Sequence, residues 1–225
     1  MKCTFFLAIV CVAPVLGQGF QFGLKAGIPI TQYFETGASG GRQGHATYSA
    51  ATRRYAIGAS AEWRFTNSAG LEIDAIYHRM GYVGIVNSFD SAGGNFRNSA
   101  IDVKGGSWDV PLLAKYRFGH TVRPYLAAGA VVRYVGPVRG LGVQTDGSLV
   151  TATSSTTPLD TSQPSELRKR FYPGVTAAAG LEVGVRRFRV LPEFRYTRWT
   201  ANIAAPGGLL RFAPDQAEFF VGILF

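Results

Sequence analysis

The sequence predicts an all-β protein, with eight antiparallel strands in up-and-down order closed into a transmembrane β-barrel. Three observations carry this reading. Apolar residues recur at every second position in eight separate stretches, and no segment sustains a 3.6-residue apolar period with caps. The connections between stretches alternate between tight turns and long segments rich in Gly, Ser, Thr and Asn. Aromatic residues gather at the ends of the stretches rather than in their middles.

The chain opens with Lys2 and an apolar run, FFLAIVCVAPVLG over residues 5–17, that ends in small residues before Gln18. This is how a secretory signal peptide is built, and the run is too short to cross a bilayer as a helix. The expected organisation is therefore a leader over 1–17, cleaved, and one barrel domain over 18–225. Both cysteines, Cys3 and Cys11, fall inside the leader. The exported chain then has no disulfide, thiolate metal site or Cys nucleophile. The sequence AIVC is a poor lipidation signal for Cys11. A charged fraction of 16% and a mean hydropathy of +0.09 do not describe a helical membrane protein.

FQFGLKAGIPI (20–30) supplies the first strand. In YAIGASAEWRF (55–65), Tyr55, Ile57, Ala59, Ala61, Trp63 and Phe65 share one face, opposite Ala56, Gly58, Ser60, Glu62 and Arg64. After the turn residues TNSAG, Leu71, Ile73, Ala75 and Tyr77 alternate with Glu72, Asp74, Ile76 and His78. WDVPLLAKYRF (108–118) sets Trp108, Val110, Leu112, Ala114, Tyr116 and Phe118 against Asp109, Pro111, Leu113, Lys115 and Arg117. RPYLAAGAVVRY (123–134), GVTAAAGLEVGV (174–185) and FRVLPEFRYTRW (188–199) follow, and AEFFVGILF (217–225) is the eighth. Tight turns are expected near 66–70, 119–123 and 185–188. Long loops are expected at about 31–53, 82–105, 136–168 and 200–215, and the TDGSLVTATSSTTPLDTSQPS segment reads as flexible and exposed. Short turns on one side and long loops on the other, with an even strand number, form the bacterial outer-membrane pattern.

Eight strands could also close a soluble lipocalin-like carrier, apolar inside and wet outside. The direction of the alternation argues against it. The continuous apolar stripe needs an extensive apolar surrounding. The opposite face carries six basic residues, Lys25, Arg64, Lys115, Arg117, Arg133 and Arg195. It also carries seven acids, Glu62, Glu72, Asp74, Asp109, Glu182, Glu193 and Glu218. Near-cancelling charges belong in a narrow lumen, where paired ions are tolerable and lone ones costly. Trp63, Phe65, Tyr116, Phe118 and Phe188 lie beside the short turns, and Tyr77, Trp108, Tyr134, Tyr172 and Tyr196 toward the long loops. Those are two interfacial girdles.

GLKAGIPI (23–30), WDVPLLAKYRF, RPYLAAG (123–129), PEFRYTRW (192–199) and the C-terminal stretch together carry a resemblance. Over nearly all of residues 18–225 the chain resembles the small eight-stranded outer-membrane barrels of the OmpA/OmpX type. More narrowly, it resembles the PorT-like outer membrane protein beta-barrel domain family. The resemblance implies an integral protein of a Gram-negative outer membrane, and no single activity. It also implies that Phe219, Val221, Ile223 and Phe225, alternate residues ending in a terminal aromatic, form the signal read by the barrel-assembly machinery.

Chemistry is thinly represented. His45 and His120 fall in a loop and a turn, and His78 lies near the loop end of the third strand with Asp74 below it on the inward face. No signature places a nucleophile beside His78, and one inward His with scattered carboxylates is weak support for a metal. The expectation is no enzyme and no cofactor, with a lipid-modifying enzyme using His78 as the rival reading. A narrow channel is a third, opposed by bulky inward Arg and Lys side chains in a barrel whose interior side chains can fill.

The remaining feature is basic charge, with a sequence pI near 9.8. The inward set is nearly neutral, so the excess belongs to loops and turns. Nucleic acid is the reflex partner of such charge. On an outer-membrane barrel the nearer partner is the phosphate and carboxylate of lipopolysaccharide. Arg54, Arg79, Arg168, Lys169, Arg170 and Arg198, expected where strands meet loops, are the candidate contacts.

Overall fold

In the computed structural model the described residues are 19–41, 44–51, 54–90, 94–119, 122–161, 170–185, 187–200 and 211–225. The expected signal peptide lies outside them, as do Arg168, Lys169 and His120. No helix occurs among the described residues. The strands are β1 (Phe20–Pro29), β2 (Phe34–Glu35), β3 (Gly37–Gly41), β4 (Gly44–Ala50), β5 (Ala56–Arg64), β6 (Ala69–Asp90) and β7 (Asn95–Arg117). They continue with β8 (Val122–Ser148), β9 (Thr153–Thr161), β10 (Phe171–Val185), β11 (Phe188–Trp199), β12 (Arg211–Phe212) and β13 (Asp215–Leu224).

Eight of these close the barrel, each antiparallel to both neighbours, in the order β1, β5, β6, β7, β8, β10, β11, β13. The ends meet where β1 pairs with β13 from Gly23 opposite Leu224 to Pro29 opposite Glu218. Closure leaves no edge at membrane height, which a bilayer demands because an unpaired backbone group has no water to bind there. The faces divide as lipid requires. Ile57, Leu112, Leu126, Val175, Phe194 and Val221 are exposed on the outside, while Glu62, Glu72, Lys115, Arg133, Glu193 and Arg195 are buried inside.

An aromatic row follows the outer rim through register. Tyr77 stands opposite Trp108, Trp108 opposite Tyr134, and Tyr134 opposite Phe171. Ring centroids lie 5.3 Å apart for Tyr77–Trp108 and 5.1 Å for Tyr134–Phe171. Tyr172 departs from the expected outer girdle. It is buried on the inward face, and its neighbour Phe171 takes the lipid-side place. At the opposite rim Phe20 stacks on Trp63 at 5.6 Å, and Tyr116 meets Phe118 at 4.9 Å.

Three of the expected long loops are largely strand, the first of them through β2, β3 and β4. β6 and β7 stay paired up to Asp90 opposite Asn95, and β8 continues to Ser148 with β9 alongside. With β3 and β4 they make a six-stranded sheet, in the order β3-β4-β6-β7-β8-β9, rising beyond the outer aromatic row. The segment from Thr145 to Thr161 is exposed but ordered as two strands and a turn. Between Gly105 and Ser107 the register against β8 slips, from Val138 to Val135. The extra β8 residue is a bulge, placed just above the aromatic row.

Candidate functional site

The lumen is filled in three layers, and the register decides which groups meet. Nearest the short turns, Arg64 Nε donates to Glu62 Oε1 at 2.6 Å and its Nη2 to Glu182 Oε2 at 2.8 Å. Arg117 donates to the same Glu182 oxygen at 2.7 Å and is also paired with Glu62. Two carboxylates thus face two guanidiniums. Arg189 closes this end, half-exposed, at 3.4 Å from Glu182 and 2.7 Å from Gln21 Oε1.

The middle layer holds three cations and three anions. Glu72 accepts from Lys25 Nζ and Lys115 Nζ, each at 2.6 Å. Lys25 also reaches Asp74 at 3.2 Å and Glu193 at 3.3 Å. Arg195 Nη2 donates to Asp74 at 2.7 Å and to Glu193 at 2.6 Å. Tyr125 Oη donates to Glu193 at 2.8 Å, while Lys115 Nζ lies 4.0 Å from the centre of the Tyr125 ring. All six charged groups of this layer are buried. Such burial is tolerable only because every charge has an opposite partner within hydrogen-bond reach.

The upper layer differs. Arg133 grips Asp109 with two bonds of 2.7 Å and donates to Gln216 Oε1 at 2.8 Å. Its guanidinium lies 4.2 Å from the Trp199 ring centre and 4.8 Å from that of Tyr33. His78 stands between two carboxylates, with Nε2 3.2 Å from Asp109 and Nδ1 3.4 Å from Glu218. Tyr33 Oη donates to Glu218 at 2.9 Å and is hydrogen-bonded to His78 Nδ1. The surplus acid of the inward set is therefore in this layer, beside His78. His78, Asp109 and Glu218 offer ligand atoms within 4.8 Å of one another, but Arg133 already occupies both Asp109 oxygens. The void beside them is about 10 Å³, room for one water at most. Asp74 lies below His78 on the inward face, as expected, and pairs there with Arg195 and Lys25 of the middle layer.

Above this layer the mouth is covered by apolar side chains that sequence reasoning did not single out. Tyr33 and Phe34 on one connection and Phe212 on another fold inward, and β2 pairs with β12 through Phe34 opposite Phe212. The two rings are 4.4 Å apart, and Met80, Tyr82, Val103, Val135, Tyr172 and Trp199 pack beneath and around them. The sequence hint is that Tyr33 and Phe34 precede a Gly-rich stretch; Phe212, among Ala, Pro, Gly and Leu, gives none.

The described rim cations, Arg54, Arg79, Arg170 and Arg198, are dispersed around the barrel. Arg54 is exposed beside a cavity of about 130 Å³ lined by Thr31 and Gln32. Arg79 lies within β6, two residues above Tyr77, not at a strand end as expected. Arg170 is exposed, and its backbone carbonyl accepts from Val135 N at 2.8 Å. Arg198 faces outward and donates to Asp215 at 2.9 Å. On the closing strand Phe219, Val221, Ile223 and Phe225 all face outward, and Phe225 N donates to Phe22 O at 2.8 Å.

The sequence profile of the outer membrane protein beta-barrel domain matches residues 14–198. A sequence search of curated proteins returns no match. Among solved structures, the chain is similar to Neisserial surface protein A at 15% identity and TM-score 0.43, over 92% of this chain and 96% of that one. It is also similar to OprG of Pseudomonas aeruginosa (14% identity, TM-score 0.44, 92% and 94% covered). The N-terminal barrel of Pseudomonas aeruginosa OprF gives 13% identity and TM-score 0.39, with 93% and 100% covered. A closed eight-stranded barrel, a lipid-facing apolar band between two aromatic rims and a profile match over most of its length mark the chain as a member of the outer membrane protein beta-barrel domain family.

Proposed function

We propose that this outer-membrane protein is non-enzymatic and non-conducting, a structural or surface-interaction barrel that holds a rigid sheet above the lipid. The observation that carries the reading is the filled lumen, layered ion pairs beneath an aromatic lid. A solute path would have to displace Arg117, Lys115, Arg195 and Arg133 in succession, stranding buried carboxylates each time. The rival enzyme reading gains an observation, since His78 does have acids and a tyrosine within reach. Its imidazole is nevertheless fully buried under Tyr33 and Phe34, away from the leaflet that holds any lipid substrate.

In this reading residues 1–17 are removed on export, and the barrel-assembly machinery reads Phe219, Val221, Ile223 and Phe225. Lipopolysaccharide phosphates are met around the rim by Arg54, Arg79, Arg168, Lys169, Arg170 and Arg198. No cofactor and no nucleic acid enters it. Conductance of the refolded protein in planar bilayers is the decisive experiment. A silent bilayer is expected, and steady single-channel steps abolished by Phe212→Trp would reverse the conclusion. For the rim, Arg168→Ser/Lys169→Ser/Arg170→Ser is expected to weaken binding to purified lipopolysaccharide, and unchanged affinity would remove that cluster from the rim contacts.

A further inference from the structure

Register places a second, more specific surface on the outside of β6, β7 and β8, directly above the aromatic row. Two residues up from Tyr77 comes Arg79, opposite Gly106, and the next outward step brings Gly81 opposite Lys104 and Lys104 opposite Arg139. The bulge is what turns Arg139 outward, because it inverts the facing of β8 above Val135. Three cations thus form one contiguous group about 5–10 Å above the aromatic rings, taking ~3.3 Å per residue and a strand tilt of about 40°. Gly106 leaves room for the Tyr77 ring, which lies over it, so the aromatic row reaches up to the foot of the three charges.

Like charges directly opposite, as Lys104 and Arg139 are, repel unless an anion stands between them. Their own partners, Asp102 at 2.5 Å and Asp160 at 2.5 Å, lie one step further from the membrane; Lys104, Arg139 and Asp160 are mostly exposed and Asp102 is half-buried. Exposed pairs of this kind are weak and exchangeable. Arg79 makes no ion pair among the described residues. Above the acids the outward face becomes apolar again. Ile85 is opposite Ala100 and Ala100 opposite Val143, with Leu141 below, and Ile85, Leu141 and Val143 are each about half exposed.

The geometry points to a seat for one lipopolysaccharide molecule along this strip, an inference that rests on the rim reading above. Acyl chains lie on the lipid-facing strands and the aromatic row marks their end. Arg79, Lys104 and Arg139 take the phosphates and carboxylates nearest the lipid, and the core sugars lay their C–H faces on Leu141, Val143 and Ile85. Along that molecule acyl chains, phosphates and sugar hydroxyls follow one another as the lipid-facing row, the cations, and the mixed row of Asp102, Leu141 and Asp160 below Ile85 and Val143 do on the protein.

Binding of the folded protein in micelles to phosphorylated, core-bearing lipopolysaccharide tests this, with lipid A alone and inorganic phosphate as separate arms. Heat-modifiable gel migration verifies that each variant is folded. Arg79→Ser/Lys104→Ser/Arg139→Ser is expected to lose roughly tenfold in affinity for both lipids, a few-fold per exposed contact. Leu141→Asn/Val143→Asn is expected to weaken core-bearing lipopolysaccharide and leave lipid A unchanged, which a mere loss of charge would not produce. Inorganic phosphate is expected not to compete at millimolar concentration, and full competition would replace the glycolipid with a free anion. Unchanged affinity in both variants while Arg198→Ser weakens binding would overturn the seat and leave the rim reading standing. Unchanged affinity in every variant would end both. A dimer in crosslinking that the triple variant abolishes would assign the strip to a second copy of the chain.

Discussion

Glu72 is where the lumen network is most sensitive. It is fully buried and accepts from two ammonium groups at 2.6 Å, with Arg195 3.8 Å away. Glu72→Gln keeps shape and volume but leaves three cations against two anions in the middle layer. Lys25 retains Asp74 and Glu193, whereas Lys115 retains only Glu62 at 3.4 Å and the face of Tyr125. Removing one partner of a buried ionic group costs about 3–5 kcal/mol. At about 2 kcal/mol per molar urea, the unfolding midpoint is expected to fall by roughly 2 M. The assay is urea unfolding of the protein in lipid vesicles, followed by tryptophan fluorescence and by gel migration of unboiled samples. Restoring neutrality with Glu72→Gln/Lys115→Met is expected to recover more than half of the loss, although it removes one more ionic contact. A midpoint shift below about 0.5 M for the single variant would refute the reasoning, because the lumen charges would then be solvated rather than paired. So would a double variant less stable than the single one.

Two other outcomes follow from the same structure. Phe34→Ala/Phe212→Ala removes the two rings of the lid, and large-to-small changes at buried aromatics cost about 3–5 kcal/mol each. The barrel is expected to remain heat-modifiable while amide exchange near Tyr33 and Phe34 accelerates at least a hundredfold, and unchanged exchange would show that the lid is not held by those rings. Phe225→Ala is expected to slow insertion in the presence of the assembly machinery while leaving the unfolding free energy within about 0.5 kcal/mol of the wild type, since this exposed ring is outside the packed lumen. An equal loss in machinery-free refolding would make its role structural.

What the sequence disclosed, and what it withheld, separates cleanly at the membrane boundary. Inside the bilayer lipid enforces alternation, so the facing of Trp63, Glu72, Lys115 and Phe219 could be counted residue by residue. Tyr172 was legible by the same count, because stepping back by twos from inward Glu182 arrives at it and leaves Phe171 for the lipid. The presence of two adjacent aromatics hid this. Above the rim both faces of a strand meet water, and segments such as NFRNSAIDVKGG carry no stripe to betray the pairing that β6, β7 and β8 maintain. The lid was hidden for a different reason. Tyr33, Phe34 and Phe212 come from connections 178 residues apart at their nearest, and only the closed barrel brings them together. Partner choice in the lumen was equally out of reach. Composition implies near-neutrality, while the division into three layers depends on the stagger of eight strands.

The bulge beside Gly105 joins these two regimes and explains why the sheet need not end at the lipid. Below it, β8 turns Leu126, Val132 and Tyr134 to lipid and Tyr125 and Arg133 to the lumen. Without the extra residue the same parity would carry Arg139, Leu141 and Val143 to the inner face, above a lid already filled by Tyr82, Val103 and Tyr172. A guanidinium there would be buried among these rings, where the nearby carboxylates Asp109 and Glu218 are already engaged by Arg133 and Tyr33, a costly burial. One inserted residue instead sends the charge outward to Asp160 and leaves Val138 and the small Gly140 and Gly142 toward the inside. Val138 then packs against the lid cluster, where Arg139 would have been out of place. The bulge thus allows one continuous β8 to serve a lipid-bounded barrel below and a water-bounded sheet above, and it places Arg139 beside Lys104 as a consequence of keeping the lid dry.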